Sequence, residues 1–293
     1  MKQNAPEGGR LFLAGAMRRR IVSQVIAAIL LVLACVIVLL PLAWMIVDSL
    51  ETTHQLASLP PSLIPSPVEW KNYPAAFKSL PFGAFLYNSF DYGILATFGT
   101  LLSSSLVAYA FAKLRARFKN LLFSLVLATI FLPYTVTLIP QFVLFKYLGW
   151  VNSLKPLIVP AFFGGGPFFI FLFRQFFMTV PDEVFEAAKL DGCGYLRSYW
   201  RILIPMTLPA FTAVAVFRFQ FAWNDFLGPL VYLNSTIRDT VSLGLAFLVG
   251  SPGSTSTPWS LLMAASLVCM LPPVILFGVT QRYLLRGVVF SMR

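Results

Sequence analysis

The feature that most constrains this chain is Ile21 to Val47, a nearly unbroken apolar run of about 27 residues, roughly 40 Å long as a helix. A bilayer needs only about 20 such residues for a span. Inside hydrocarbon every backbone N–H and C=O must be paired within the segment, so the run is expected to be helical. Five further runs follow: Leu86 to Ala112, Asn120 to Phe145, Pro156 to Met178, Met206 to Leu233 and Trp259 to Leu285. The expected class is all-α, a polytopic membrane protein with six transmembrane helices. Composition agrees where it matters. Only 11% of the residues are charged, too few to coat a soluble globule of 293 residues.

The net charge of +11 raises the question of nucleic acid. The distribution of the cations answers it. Arg18-Arg19-Arg20 stand directly before the first run, and Lys113, Arg115, Arg117 and Lys119 directly after the second. With six spans, sixteen of the 22 Lys and Arg fall on one side, five on the other, and Arg218 inside a span. This is the asymmetry of a membrane protein with both ends in the cytoplasm, so no nucleic-acid partner is expected beside membrane lipid. The expected organisation is a cytoplasmic tail over 1–20, a first transmembrane helix over 21–47 and an outer loop over 48–85. A core of five transmembrane helices follows over 86–285, then a cytoplasmic tail over 286–293. The outer loop is rich in Pro and holds a short helix around Pro74 to Ser79.

Thr179 to Pro205 is a charged, helix-prone island between the fourth and fifth runs. Thr179 followed by Asp182, with Pro181 in the first turn, approximates a capping box. Glu183, Glu186, Ala187 and Ala188 continue that helix, and Asp191-Gly192 stops it, since Gly tolerates a positive φ. A second short helix is expected from Tyr195 to Leu203. The two alanines let another protein approach the backbone closely, with Glu183 and Glu186 offering carboxylates at the edge. On pattern alone, a plain solvated loop explains the island equally well.

Glu186-Ala187-Ala188, Gly192 and then Ile202-Leu203-Ile204-Pro205, at this spacing, resemble the EAA loop of binding-protein-dependent ABC importer permeases. Other stretches resemble the carbohydrate (maltose-type) branch of that family. These are Asn88-Ser89, Ala108 to Ala112, Leu138-Ile139-Pro140, Phe173 to Phe177, Trp223 to Phe226 and Gln281-Arg282-Tyr283. They run in the family's order over 86–285. Cys193 stands where a small Ala or Ser is usual, Ile204 where Leu is usual, and the tail from Val288 lacks the family's Gly-rich, Lys-containing ending. The resemblance implies a type I ABC importer permease core in the bacterial or archaeal cytoplasmic (inner) membrane. It implies three kinds of protein partner: a second permease subunit, two cytoplasmic ATPase subunits and an extracytoplasmic solute-binding protein. The implied cargo is a sugar, oligosaccharide or polyol-type solute. The loop over 179–205 would be the coupling helix in the ATPase cleft, with Glu183, Glu186, Ala187, Ala188, Asp191, Gly192 and Pro205 as its ATPase-coupling residues.

A second set of candidates lies in the fifth run. An ionisable group at mid-bilayer costs roughly 2.5–3.5 kcal/mol on insertion scales, so Arg218 and Asp225 are expected to face the bundle interior. Seven positions apart, they are expected two helical turns apart on one face, too far for direct pairing. Trp223 and Asn224 join them as candidates for the substrate path, because aromatic and polar groups suit a sugar's faces and hydroxyls. Asn224 bonding a neighbouring helix is the plainer alternative. No catalytic set is recognisable: His54 is the one histidine, Cys35, Cys193 and Cys269 form no pair, and no GxxxxGK[ST] occurs. No catalytic residue, metal site or cofactor is therefore expected. Leu33-Ala34-Cys35 resembles a lipoprotein cleavage site, but the apolar run continues past it. The alternative function is an ion-gradient-driven secondary transporter, which would show paired repeats and membrane carboxylates.

Overall fold

A computed structural model describes residues 8–56, 58, 64–249 and 259–290, with side chains described from 21 to 282 within those ranges. The regular structure among the described residues is helical. Helix α1, Gly8–Ser49, carries the first apolar run. Every side chain from Ile21 to Pro41 is exposed, so this helix stands at the margin of the bundle. Its far end is tied down by helix α2, Asn72–Ser79. Asn72 Nδ2 donates to the carbonyls of Ser49 at 3.0 Å and Glu51 at 2.9 Å, and the Ser49 and Tyr73 hydroxyls meet at 2.9 Å.

The centre is helix α3, Phe82–Lys113, whose 32 residues make it about 48 Å long. Small residues let other elements approach it closely. A Cβ on Gly93 would stand 2.8 Å from the Phe219 ring, and one on Gly99 would stand 2.6 Å from Phe162. Ser103 and Ser104 donate to the carbonyls of Ala161 and Gly164, each at 2.7 Å. Such an interhelical bond contributes only about 0.6 kcal/mol. An unpaired carbonyl in hydrocarbon costs several times that, so the larger effect is to make a non-helical segment tolerable there.

Four helical stretches are long and apolar enough to cross a membrane alone: Ile21–Ser49, Phe82–Lys113, Lys155–Met178 and Trp259–Arg282. Two bent pairs bring the total to as many as six. In the first pair, helix α4, Lys119–Ala128, continues through a 3-10 turn to Phe131 and then meets helix α5, Tyr134–Tyr147, at 96°. The third apolar run is thus broken rather than kinked. Pro133 is extended (ψ 136°), as is Leu132 before it (ψ 114°), the conformation a residue preceding proline prefers. Pro140 lies inside α5 without ending it.

Lys155 to Phe162 makes short α and 3-10 turns. After Gly164-Gly165-Gly166, all with positive φ, helix α6 runs over Pro167–Met178. Gly165 has its reason in space as well as in φ: a Cβ there would meet Thr100 Cα at 2.8 Å. Helix α7, Asp182–Leu190, and the helical stretch Tyr195–Met206 form the charged island. Tyr195–Met206 turns by 81° into helix α8, Leu208–Trp223. The fifth apolar run is therefore not continuous to Leu233. Helix α8 stops at Trp223, Asn224 to Phe226 are non-helical, and helix α9 spans Leu227–Tyr232. Helix α10, Val241–Val249, and helix α11, Trp259–Phe290, complete the described chain. Helix α11 packs against α1, α2, α8 and α10.

Candidate functional site

The island has a defined stop and start. Its expected capping box does not form, because the Thr179 hydroxyl donates back to Phe176 O at 2.7 Å and Pro181 precedes the first helical residue. Asp182 and Glu183 in the first turn and Lys189 in the last complement the helix dipole instead. At the other end, Cys193 N donates to Ala188 O at 2.8 Å and Gly192 N to Lys189 O at 3.1 Å. This is a Schellman stop with Gly192 at φ +76°. No atom lies within 4 Å of where its Cβ would be. The glycine is demanded by backbone conformation, not by crowding. The second helix runs past Leu203 to Met206, with a π turn over Tyr199–Leu203 just before Pro205, which has no N–H to continue the ladder.

The island is fastened to α3 along one side. Lys113, at the end of α3, has only 5% of its side chain exposed; its Nζ reaches Val180 O at 2.5 Å and Asp182 Oδ1 at 2.6 Å. It also lies 5.2 Å from the Phe185 ring. The bond and charge of Lys113 hold the Asp182 carboxyl below the usual carboxylate range. Tyr109 OH donates to Tyr195 O at 3.1 Å, and the Ser105 and Tyr199 hydroxyls meet at 2.6 Å in the buried interior. Beneath lie Phe173, Phe177, Tyr199 and Leu203, all essentially inaccessible. Ala188 is buried on this side. Glu183, Glu186, Ala187, Asp191, Gly192 and Pro205 are all exposed, and Glu186 lines a cleft with Tyr109, Lys113 and Asp182. Leu190 stands among them 90% exposed.

The second set of candidates meets at a cavity of about 1090 Å³. Three helix breaks open onto it. Tyr134 follows the break at Pro133, Gly165 and Gly166 belong to the glycine break, and Asn224 to Phe226 form the break after α8. Non-helical backbone at membrane depth survives where it lines such a cavity. Arg218, Asn224 and Asp225 line it together with Tyr92, Gln141 and Gln220. Arg218 and Asp225 do not share a helical face, because α8 has ended between them. Arg218 Nε donates to Thr100 Oγ1 at 3.3 Å, and its guanidinium lies 5.7 Å from the Tyr92 ring. Asp225 accepts from Gly228 N at 3.0 Å and from Tyr92 OH at 2.9 Å. The carboxylate thereby starts α9 and ties it to α3. A Cβ on Gly228 would stand 2.6 Å from Asp225 Oδ2. Asn224 bonds within its own chain segment, to Gln220 O at 2.9 Å and Gln220 Oε1 at 3.0 Å.

Trp223 lies apart from this group. It is 3% exposed, stacks on Phe219 at 5.5 Å and donates Nε1 to Cys269 O at 3.1 Å. It lines a second cavity of about 410 Å³ between α8 and α11, whose wall shares Gln220 and Asn224 with the larger one. Tyr92, Tyr134, Gln141 and Gln220 were not singled out in the sequence. The signals that lead to them are the breaks themselves, Pro133, the three glycines and Asn224-Asp225, since residues beside interrupted helices line membrane cavities.

The family described as binding-protein-dependent transport system inner membrane component matches residues 100–289. The sn-glycerol-3-phosphate transport system permease protein UgpE of Yersinia enterocolitica is 33% identical over 269 residues, 90% of this chain and 95% of that one. Its counterpart in Agrobacterium fabrum is 30% identical over 280 residues, 93% of this chain and 98% of that one. Among solved structures, a bacterial ABC transporter involved in the import of the acidic polysaccharide alginate shares the fold. Its TM-score is 0.78 at 19% identity, with 96% of this chain and 99% of that chain covered. The MetNI methionine ABC transporter gives a TM-score of 0.55 at 15% identity, with 71% and 98% covered.

Proposed function

This chain belongs to the family of binding-protein-dependent transport system inner membrane components, and from that premise we propose how it is driven and what it carries. It is a permease subunit of an ATP-driven ABC importer, a multipass protein of the inner membrane. Its partners are a second permease, two ATPase subunits and a solute-binding protein outside. On our reading both ends lie in the cytoplasm and the chain itself performs no chemistry. The cargo is a sugar, oligosaccharide or polyol-type solute, which the mixture of aromatic rings, amides and hydroxyls around the cavity supports.

The island over 179–205 is the coupling element, with Glu183, Glu186, Ala187, Ala188, Asp191, Gly192 and Pro205 forming or shaping the face that meets the ATPase. The observation that carries this is the fastening to α3. Lys113, Tyr109 and Ser105 bond the island to the same helix that bears Thr100 and Tyr92 on the cavity wall. When ATP closes the ATPase pair, a displaced island moves α3, and α3 moves the cavity between inward- and outward-open states.

Affinity purification of the chain from its native membrane in mild detergent, with mass spectrometry of what accompanies it, tests this reading. An ATPase and a second permease accompany the wild type. Gly192→Pro, whose ring forbids φ +76° and removes the N–H that closes the stop, keeps the permease and loses the ATPase. Recovery of the chain alone, with transport that needs no ATP, would overturn the reading.

A further inference from the structure

We propose that Trp223 is a positioning residue of the transport cavity: it fixes the non-helical wall over 224–226 by supplying α11 with the hydrogen bond that Pro273 cannot make. The inference rests on the importer reading above and adds the residue through which the wall is held. Helix α11 contains Pro272 and Pro273. Pro273 has no N–H for the carbonyl four residues behind it, which is that of Cys269. The Trp223 indole donates its Nε1–H to that carbonyl at 3.1 Å. Trp223 is also the last residue of α8, so its own carbonyl has lost its helical partner. The Ser242 hydroxyl of α10 donates to it at 2.7 Å. One residue thus settles two carbonyls that two helices leave open, each costly to leave unpaired in hydrocarbon.

Aromatic neighbours hold the ring in place. It stacks on Phe219, and Phe90 of α3 meets it edge-on at 5.0 Å. Packing is incomplete on the side of α11, since Trp223, Ser242, Cys269 and Pro273 all line the cavity of about 410 Å³. Dispersion contacts are missing across such a space, so the spacing of α8 and α11 there depends on the directional bond. Asn224, Asp225 and Phe226 follow Trp223 directly and line the larger cavity. At their far end they are held by Asp225, with Gly228 N and Tyr92 OH. At the α8 end they are held by the bond that anchors Trp223, and a shift of α11 reaches them through it. Trp223 thus acts on the wall from behind rather than by touching solute.

The test is hydrogen exchange, read by mass spectrometry, on the importer purified with its partners and held in lipid nanodiscs. Trp223→Phe keeps a ring and loses the donor. Pro273→Ala gives the Cys269 carbonyl an N–H from its own helix, and a third variant carries both changes. Trp223→Phe is expected to raise exchange over 224–232 on the order of tenfold, because an orphaned carbonyl is relieved when the seam opens to water. Exchange over 182–190 stays within about twofold, which marks the opening as local. With Pro273→Ala already in place, Trp223→Phe raises exchange over 224–232 by less than about threefold, the coupling of a double-mutant cycle. Trapping with ATP and vanadate changes exchange over 224–232 in the wild type, and by about half as much or less in Trp223→Phe. No rise in Trp223→Phe, an equal rise in both backgrounds, or an undiminished response to trapping overturns the assignment. If Trp223→Phe does not assemble, assembly of the double variant supports the assignment and its failure overturns it. A wild type that ignores ATP removes the importer reading, and the comparison with and without Pro273 still decides whether Trp223 holds the wall.

Discussion

Asp239 shows how one residue reports its surroundings. It lies between α9 and α10, 3% exposed, and its backbone carbonyl accepts from Asn88 Nδ2 at 3.0 Å. Burial pushes its carboxyl up to about 6, above the 3.8 of an ordinary Asp. The folded form therefore resists the charge that the unfolded chain accepts. Stability from this group is full below about 3.8 and is lost as pH rises through about 6. Thermal unfolding of the detergent-solubilised chain should show it: acidification from pH 7 to pH 4 raises Tm in the wild type relative to Asp239→Asn. Parallel pH profiles for the two would count against a buried, charge-averse carboxyl. None of this was legible in the sequence, where Asp239 is one acid in an outer loop. Trp223 and Asp225 teach the same lesson, being two positions apart in sequence and yet lining different cavities. Gly192 was legible, because a glycine after Asp at a helix end has one common use, and its φ of +76° fits that use.

Elements were legible in kind and less so in shape. Apolar runs of membrane length are helical, and the small residues of α3 do face close neighbours. The right angle at Pro133 was hidden, because Pro133 and Pro140 look alike in sequence and only one ends a helix. The capping box failed for a related reason. Thr179 had two backbone groups within reach and bonded to the helix behind it. At this scale the charged island depends on its fastening to α3. Lys113→Met keeps the buried stem and removes the ammonium from Val180 O and Asp182. Bonds to a charged donor contribute about 1.5–3 kcal/mol, so opening of α7 is expected to rise about ten- to hundredfold. Hydrogen exchange over 180–192 measures it in the purified chain. Unchanged exchange there, with Lys113 replaced, would mean that the aromatic packing alone holds the island.

The whole molecule has one strongly basic end. Lys113, Arg115, Arg117, Lys119, Arg197 and Arg201 belong to the island and the turn after α3, and on the orientation proposed above from the positive-inside rule that end faces the cytoplasm. Cys193 sits on the island, half-buried. In a variant whose other two cysteines are replaced by serine, a membrane-impermeant maleimide is expected to label inverted vesicles and spare right-side-out ones. The opposite pattern would turn the molecule over and remove the island from any ATPase. Helix α1 contrasts with all of this. It is tied down at its Ser49 end, and from Ile21 to Pro41 every side chain faces outward from this chain. Along that margin, exchange among Leu, Ile, Val and Ala alters no packing within this chain. At Gly99 in α3 a Cβ would stand 2.6 Å from a phenyl ring, so divergence is expected to run fast along the margin and slow through the centre, which an alignment of descendants would measure.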